Sequence, residues 1–349
     1  MAEENSLLSA SEKTPGLLAE VSPARHNEAW LRRWARRLVL VRLAGLEAGR
    51  VEVQDGDFWE QVAWGGSIGA GEAFCDGLWL TPDLTAVVRV LARNLEILDG
   101  LEKGTARITE PFRWLLHRFR RNTRAGSNRN IAAHYDIGNE FFAQFLDPTL
   151  AYSCAILPDA HTSLESAQRW KLETICRKLG ESFDKLISIE MIEAVGHKYL
   201  PRYFEVLGEL LKPEGLALIQ AILIPDPRYE SYRRSVDFIQ RYVFPGGMLP
   251  SFGRIQECLL ERMDLRPVGV EDLTSHYART LVEWRRRFQA NDRQIAALGL
   301  TAAERRKWCF YFSYCEGGFL ERTVTDAQIL LAKPGHPRHH EPVSLAEES

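Results

Sequence analysis

Residues 181–223, ESFDKLISIEMIEAVGHKYLPRYFEVLGELLKPEGLALIQAIL, decide how most of this chain folds. FDKLISIE (183–190) and GLALIQAIL (215–223) are short apolar runs bounded by turn signals, the pattern of buried strands. Between them PRYFEVLGELLK (201–212) repeats its apolar residues at helical spacing, which makes a β-α-β unit. From Ile131 onward strands and helices alternate, which predicts an α/β domain with a parallel sheet over 131–335. KLETICRKLG (171–180) ends a helix before the first strand, and a further helix is expected over 226–244, before the Pro-Gly-Gly turn at 245–247. AERRKWCFYFSYC (303–315) reads as a helix and TVTDAQILLAK (323–333) as a closing strand.

Upstream the pattern differs. Residues 1–25 are aperiodic and read as a tail, as do the Pro- and His-rich residues 336–349. Trp30, Trp34, Leu38 and Val41 recur at helical spacing with Arg32, Arg33, Arg36 and Arg37 between them. VEVQDGDFWEQVA (51–63) begins as a strand, and TPDLTAVVRVLARNLEILD (81–99) reads as a helix with Thr81 as N-cap and Pro82 in its first turn. These pieces make a small α+β domain over 26–105. The Gly-rich GGSIGAG (65–71) opens no β-α-β unit and is expected to be a turn. RWLLHRFRRNTRAGSNR (113–129), within a basic linker helix over 106–130, holds six arginines and no acid beside Trp114 and Phe119. It reads either as a membrane-surface helix or as a solvated linker.

Composition limits what the chain can do. Lys+Arg 44 against Asp+Glu 47 gives a net charge of -3, so the chain as a whole offers no field for nucleic acid. No apolar run reaches the length of a membrane span, and MAEENSLLSASEKTPG lacks the basic start of a secretory signal, so a cytoplasmic location is expected. Six cysteines without a C-x-x-C pair suggest neither a disulfide framework nor a zinc site.

Two segments concentrate polar groups. HYDIGNEFFAQFLDPTLAYSCA (134–155) packs His, Asp, Asn, Tyr, Ser and Cys among aromatics, and SIEMIEAVGHKYL (188–200) puts Glu190, Glu193 and His197 at the C-terminal end of a strand, where open α/β sheets bind ligands. Together with RRSVDFIQRYVFPGGMLPS (233–251), SHYARTL (275–281) and FYFSYCEGGFLER (310–322), they resemble the cyclopropane-fatty-acyl-phospholipid synthase family over about residues 131–335. WGGSIGAGEAFCDGLW (64–79) resembles the N-terminal domain of its longer members.

The resemblance implies a Rossmann-like domain that transfers a methyl(ene) group from S-adenosylmethionine to a cis double bond of a phospholipid acyl chain, at peripheral contact with a membrane surface. Alkene methylation leaves a carbocation, so such a site needs apolar walls, electron-rich faces and one base. By the resemblance the base is bicarbonate, held by Cys154 and Ile189 through backbone amides and by the side chains of Glu193 and Tyr277, while the active-site cysteine falls on Cys315. Gln220 stands where several members have His; it can hold an anion but carries no proton. Tyr152 and Ser153 match cofactor contacts.

One departure is large. Only Glu181 and Ser182 separate the helix ending at Gly180 from the strand FDKLISIE, where the family places two β-α units bearing the Gly-rich turn and the ribose carboxylate. The sheet is therefore expected to be truncated, with strand 183–190 at or near an edge that favours dimers, and cofactor-dependent turnover is expected to be little or none. The reading from another class is an inactive lipid-binding relative. An acyl hydrolase using Cys315 lacks a G-x-S-x-G or Cys–His signature.

Overall fold

The computed structural model describes residues 19–20, 51–94, 138–179, 185–262 and 264–337. The chain divides into two compact units, Met1–Arg107 and Ile108–Ser349. Most of both expected tails, the arginine-rich stretch 113–129 and the helix expected around Trp30–Val41 lie outside the described residues, but Ala19–Glu20, read as part of the aperiodic N-terminal tail, form a strand paired with Val51–Glu52.

In the first unit, β1 (Ala19–Glu20) pairs parallel with β2 (Val51–Val53), which pairs antiparallel with β3 (Trp79–Leu80). α1 (Asp57–Cys75) runs between β2 and β3, and α2 (Leu84–Arg93) follows. The Gly-rich segment is not a turn: GGSIGAG lies inside α1, which kinks at Gly66 (φ 59, ψ -139). The kink brings the two halves so close that a Cβ on Gly69 would stand 2.0 Å from the carbonyl oxygen of Gln61. Glycine is thus needed for backbone approach rather than for a loop. The cap of α2 also differs from expectation, since the Asp83 carboxylate accepts from the amide of Ala86 at 2.9 Å, while the Thr81 hydroxyl exchanges hydrogen bonds with the backbone of Asp83 alone.

The second unit begins with α3 (Asn139–Phe142) and α4 (Leu164–Leu179), then β4 (Lys185–Ile189), a 3₁₀ turn at Ile192–Ala194, α5 (Leu200–Leu210) and β5 (Leu216–Leu223). α6 (Asp226–Tyr232), α7 (Phe238–Tyr242) and α8 (Phe252–Arg262) lead to β6 (Arg266–Asp272), and α9 (Thr274–Ala290), α10 (Asp292–Ala297) and α11 (Ala302–Leu320) lead to β7 (Thr325–Ala332). The single helix expected over 226–244 is two, because Asp237 starts a new one: its carboxylate takes the amide of Gln240 at 2.8 Å and the Gln240 side chain takes the amide of Asp237 at 3.0 Å.

The sheet runs β4-β5-β7-β6 and is mixed, not parallel throughout: β4 and β5 are parallel, whereas β7 is antiparallel to both β5 and β6. Sequence reading missed β6 because RPVGVED is exposed along its length and carries Pro267, with the register slipping between Pro267 and Gly269, features that only an edge strand tolerates. β4 is the opposite edge; among the described residues it pairs with β5 alone. Ile187 on β4 remains 46% exposed, as expected of a strand lacking inner neighbours. This is a Rossmann-like α/β domain with a sheet of four strands among the described residues.

Alternation along β5 sorts its side chains to the two faces of the sheet. Ala217, Ile219, Ala221 and Leu223 join Phe204 and Leu207 of α5 and Ile255 and Leu259 of α8 in the main core. Leu216 and Leu218 turn to the other face with Ile175 of α4 and Ala332. Gln220 and Ile222 share that second face by alternation, as do Gln328 and Asp326 of β7, which are their cross-strand partners. Polar groups thereby enter a buried face at the C-terminal end of β4 and β5.

Candidate active site

At that end three donors from three elements meet one carboxylate. Glu190, directly after β4, accepts the backbone N–H of Cys154 at 2.9 Å and the Gln220 side-chain amide at 2.8 Å on Oε1, and the hydroxyl of Tyr277 at 2.8 Å on Oε2. Each donor is itself positioned. The loop carrying Cys154 is pinned from α9, where Thr280 Oγ1 accepts the amide of Ala155 and His276 Nδ1 that of Leu157. From α4, Gln168 donates to the carbonyl of Ser153 at 2.9 Å. Gln220 is held by its partner Gln328, whose amide donates to Gln220 Oε1 at 3.1 Å. Tyr277 stacks on Phe319 with ring centroids 4.5 Å apart.

Two more carboxyl groups surround Glu190. Glu193, in the 3₁₀ turn, accepts the amide of Ile222 at 2.6 Å on Oε1, while its buried Oε2 has no partner. Burial, reinforced by the nearby charge of Glu190, pushes the Glu193 carboxyl up to about 8. Asp326 is fully buried with Oδ1 likewise unpartnered, and burial raises its carboxyl well above the ordinary range. The balancing cation is Lys171 of α4, 1% exposed, which donates to Ser153 Oγ at 2.6 Å. Burial lowers the Lys171 ammonium while Glu190 supports its charge. Burial also raises Glu190, yet both of its Oε1 partners are N–H groups that can only donate, an arrangement suited to the ionised form.

The groups expected from the sequence are thus partly gathered. Cys154, Gln220 and Tyr277 converge on Glu190, and Glu193 lies beside it. Glu193 accepts the amide of Ile222, and Ile189, the last residue of β4, packs its side chain against the cluster of Ile175, Leu216 and Leu218. Tyr152 places its hydroxyl 3.2 Å from that of Tyr311 within an aromatic cluster that includes Phe142, Phe145 and Trp284. Cys315 lies on α11, where burial pushes its thiol up, which disfavours the thiolate. His197 pairs with Tyr229 at 2.7 Å, on the other side of Glu193 in sequence from Glu190.

The family implies two bound groups. For S-adenosylmethionine the described residues do not supply a fitting site: β4 has no described neighbour on its outer side, and the Ser153 hydroxyl and carbonyl are held by Lys171 and Gln168. For bicarbonate, three of the groups expected to hold it, Cys154, Gln220 and Tyr277, already hold Glu190.

A half-buried carboxylate bonded to a stacked tyrosine, at the C-terminal end of a mixed four-stranded sheet, places the site where Rossmann-like α/β proteins bind their ligands. The chain matches the mycolic acid cyclopropane synthetase family over residues 122–182 and 177–329, two pieces that overlap at the join between α4 and β4. It belongs to that family. Tuberculostearic acid methyltransferase of Mycobacterium tuberculosis is 32% identical over 347 residues, covering 78% of this chain and 80% of its own. Cyclopropane-fatty-acyl-phospholipid synthase of Escherichia coli is 27% identical over 363 residues, covering 84% and 90%. Among solved structures, mycolic acid cyclopropane synthase CmaA1 complexed with SAH and CTAB superposes with a TM-score of 0.53 at 25% identity, over 59% of this chain and 98% of its own. Among the described residues no helix is long and apolar enough to cross a membrane.

Proposed function

We propose that this chain carries the acceptor side of a methyl(ene) transfer from S-adenosylmethionine to cis-unsaturated acyl chains of phospholipids, and that its donor side is curtailed so that transfer is weak. The observation that carries this reading is the half-buried Glu190 carboxylate bonded to Tyr277, whose ring stacks on Phe319 and meets Trp284 edge-on. Methylating an isolated alkene makes a carbocation whatever the donor. Aromatic faces can lower the energy of that cation, and a water-poor carboxylate can take the proton whose loss closes the ring. The relatives named for tuberculostearic acid and cyclopropane fatty acyl phospholipid support a lipid acceptor.

The curtailed donor side follows from the join between α4 and β4. Positioning two reactants can account for about 7–11 kcal/mol of a barrier, and the residues that would hold a sulfonium in line with the alkene are the ones the shortened sheet lacks. A second reading, an inactive relative that binds lipid, is favoured by the same join. Cofactor titration separates them. Calorimetry with S-adenosylmethionine is expected to give weak, millimolar-range binding; no binding at any concentration, with retained binding to vesicles of unsaturated phospholipid, would favour the inactive relative.

A further inference from the structure

The donors around Glu190 can be counted. The amide of Cys154 has one hydrogen and the hydroxyl of Tyr277 has one, and both go to Glu190. The side-chain amide of Gln220 has two: one reaches Glu190 at 2.8 Å and the other faces Asp326 Oδ2 at 3.4 Å. Gln220 Oε1 is taken by Gln328. None of these groups keeps a hydrogen for another anion.

The placement of Glu190 is not that of a side chain resting where a strand happens to end. Its φ is 49°, the left-handed region that non-glycine residues avoid, and its amide is tied to the carbonyl of Gln220 at 2.9 Å. A residue persists in that conformation only when its surroundings hold it there, and here the surroundings are the three donors. The local charge points the same way. Glu190 and Asp326 already share the buried ammonium of Lys171, and Glu193 adds its carboxyl beside them, so an additional anion would meet three carboxyl groups in a poorly solvated place.

We propose that Glu190 is a built-in anion: its side-chain carboxylate occupies Cys154, Gln220 and Tyr277, three of the groups that the family resemblance assigns to bicarbonate, and the chain takes no free bicarbonate there. This concerns the acceptor side alone and stands whether or not the donor is bound. Whatever base chemistry the site performs then belongs to a residue of the chain and is independent of dissolved carbonate.

The test is thermal melting of the full chain at pH 8 with sodium bicarbonate, sodium acetate or sodium chloride at equal ionic strength, on the wild type and on Glu190→Gly. Glycine suits a positive φ, so the substitution empties the cradle while relieving the backbone. The wild-type melting temperature should be the same in all three salts. The glycine variant should rise in bicarbonate and in acetate, by roughly 3–6 °C at ten times the dissociation constant, and not in chloride. Should the glycine variant fail to fold, the wild type is titrated with labelled bicarbonate by NMR, where absence of binding is the expected result. Bicarbonate that binds or stabilises the wild type, or a folded glycine variant indifferent to both carboxylates, would overturn the proposal.

Discussion

The hydroxyl of Tyr277 on α9 donates to Oε2 of Glu190 at the end of β4 across 2.8 Å, joining two residues 87 positions apart. The Tyr277 ring lies nearly parallel to that of Phe319, 19° between planes, so the bond can be removed without disturbing the packing that aims it. Tyr277→Phe keeps the stack and strips one donor from a half-buried carboxylate. It should destabilise the second unit by roughly 1–3 kcal/mol, the cost of leaving such a group short of a partner. Urea unfolding measures this, and a phenylalanine variant as stable as the wild type would mean that the bond contributes nothing.

Glu193 makes stability depend on pH. Its carboxyl titrates at about 8 in the folded chain against an ordinary value near 4.5, so between those limits the folded state holds a proton that the unfolded state has released. Stability from this group is therefore fully present below about pH 4.5 and declines on the order of 1.4 kcal/mol per pH unit until about pH 8, where the difference is exhausted. Glu193→Gln retains an oxygen for the amide of Ile222 and cannot ionise. It should match the wild type near pH 5, exceed it in melting temperature at pH 8, and flatten the profile between; parallel profiles for the two proteins would refute this.

Among the described residues no strand lies on the outer side of β4, and Ile187 on it is half exposed, the kind of edge that recruits a second strand. The purified chain should therefore self-associate in a concentration-dependent way in sedimentation velocity, and Ile187→Lys should shift it toward monomer. A monodisperse wild-type monomer at high concentration would contradict the expectation.

Residues 113–129 lie outside the described structure, but their charge is a property of the sequence. Six arginines without an acid can each gain on the order of 1 kcal/mol near an anionic bilayer. Vesicles rich in anionic lipid should bind the chain and release it as salt rises. Replacing Arg118, Arg120, Arg121 and Arg124 by Gln should abolish co-sedimentation; unchanged co-sedimentation would make the stretch a solvated linker.

The β-α-β core was legible because period-two and period-3.6 patterns alternate cleanly between 183 and 223, and the strand-end position of Glu190 and Glu193 marked the site. The resemblance to a known family supplied Cys154, Gln220 and Tyr277. Lys171 and Asp326 were not legible. Lys171 falls on a buried stripe of α4 with Leu164, Ala167, Gln168, Thr174 and Ile175, and a helical lysine reads as solvated unless its neighbours three and four positions away are weighed. Asp326 is the second residue of β7, where a charge suggests a strand end, whereas its register opposite Ile222 buries it. The mixed sheet was missed for a related reason: β6 buries too little to show a pattern. Neither the kink in α1 nor the bond from the Ile222 amide to Glu193 follows from local sequence, since both depend on which backbone groups come close in three dimensions.

The central claim, an acceptor site kept while the donor site is curtailed, is tested most directly by incubating the purified chain with vesicles of unsaturated phospholipid and methyl-labelled S-adenosylmethionine over a wide range of donor concentration. The account predicts little label in the acyl chains at micromolar donor, rising in proportion to concentration without saturating. Robust labelling that saturates at micromolar donor and is abolished by Glu190→Gln would contradict it, because a complete donor site would then exist despite the five residues that join α4 to β4.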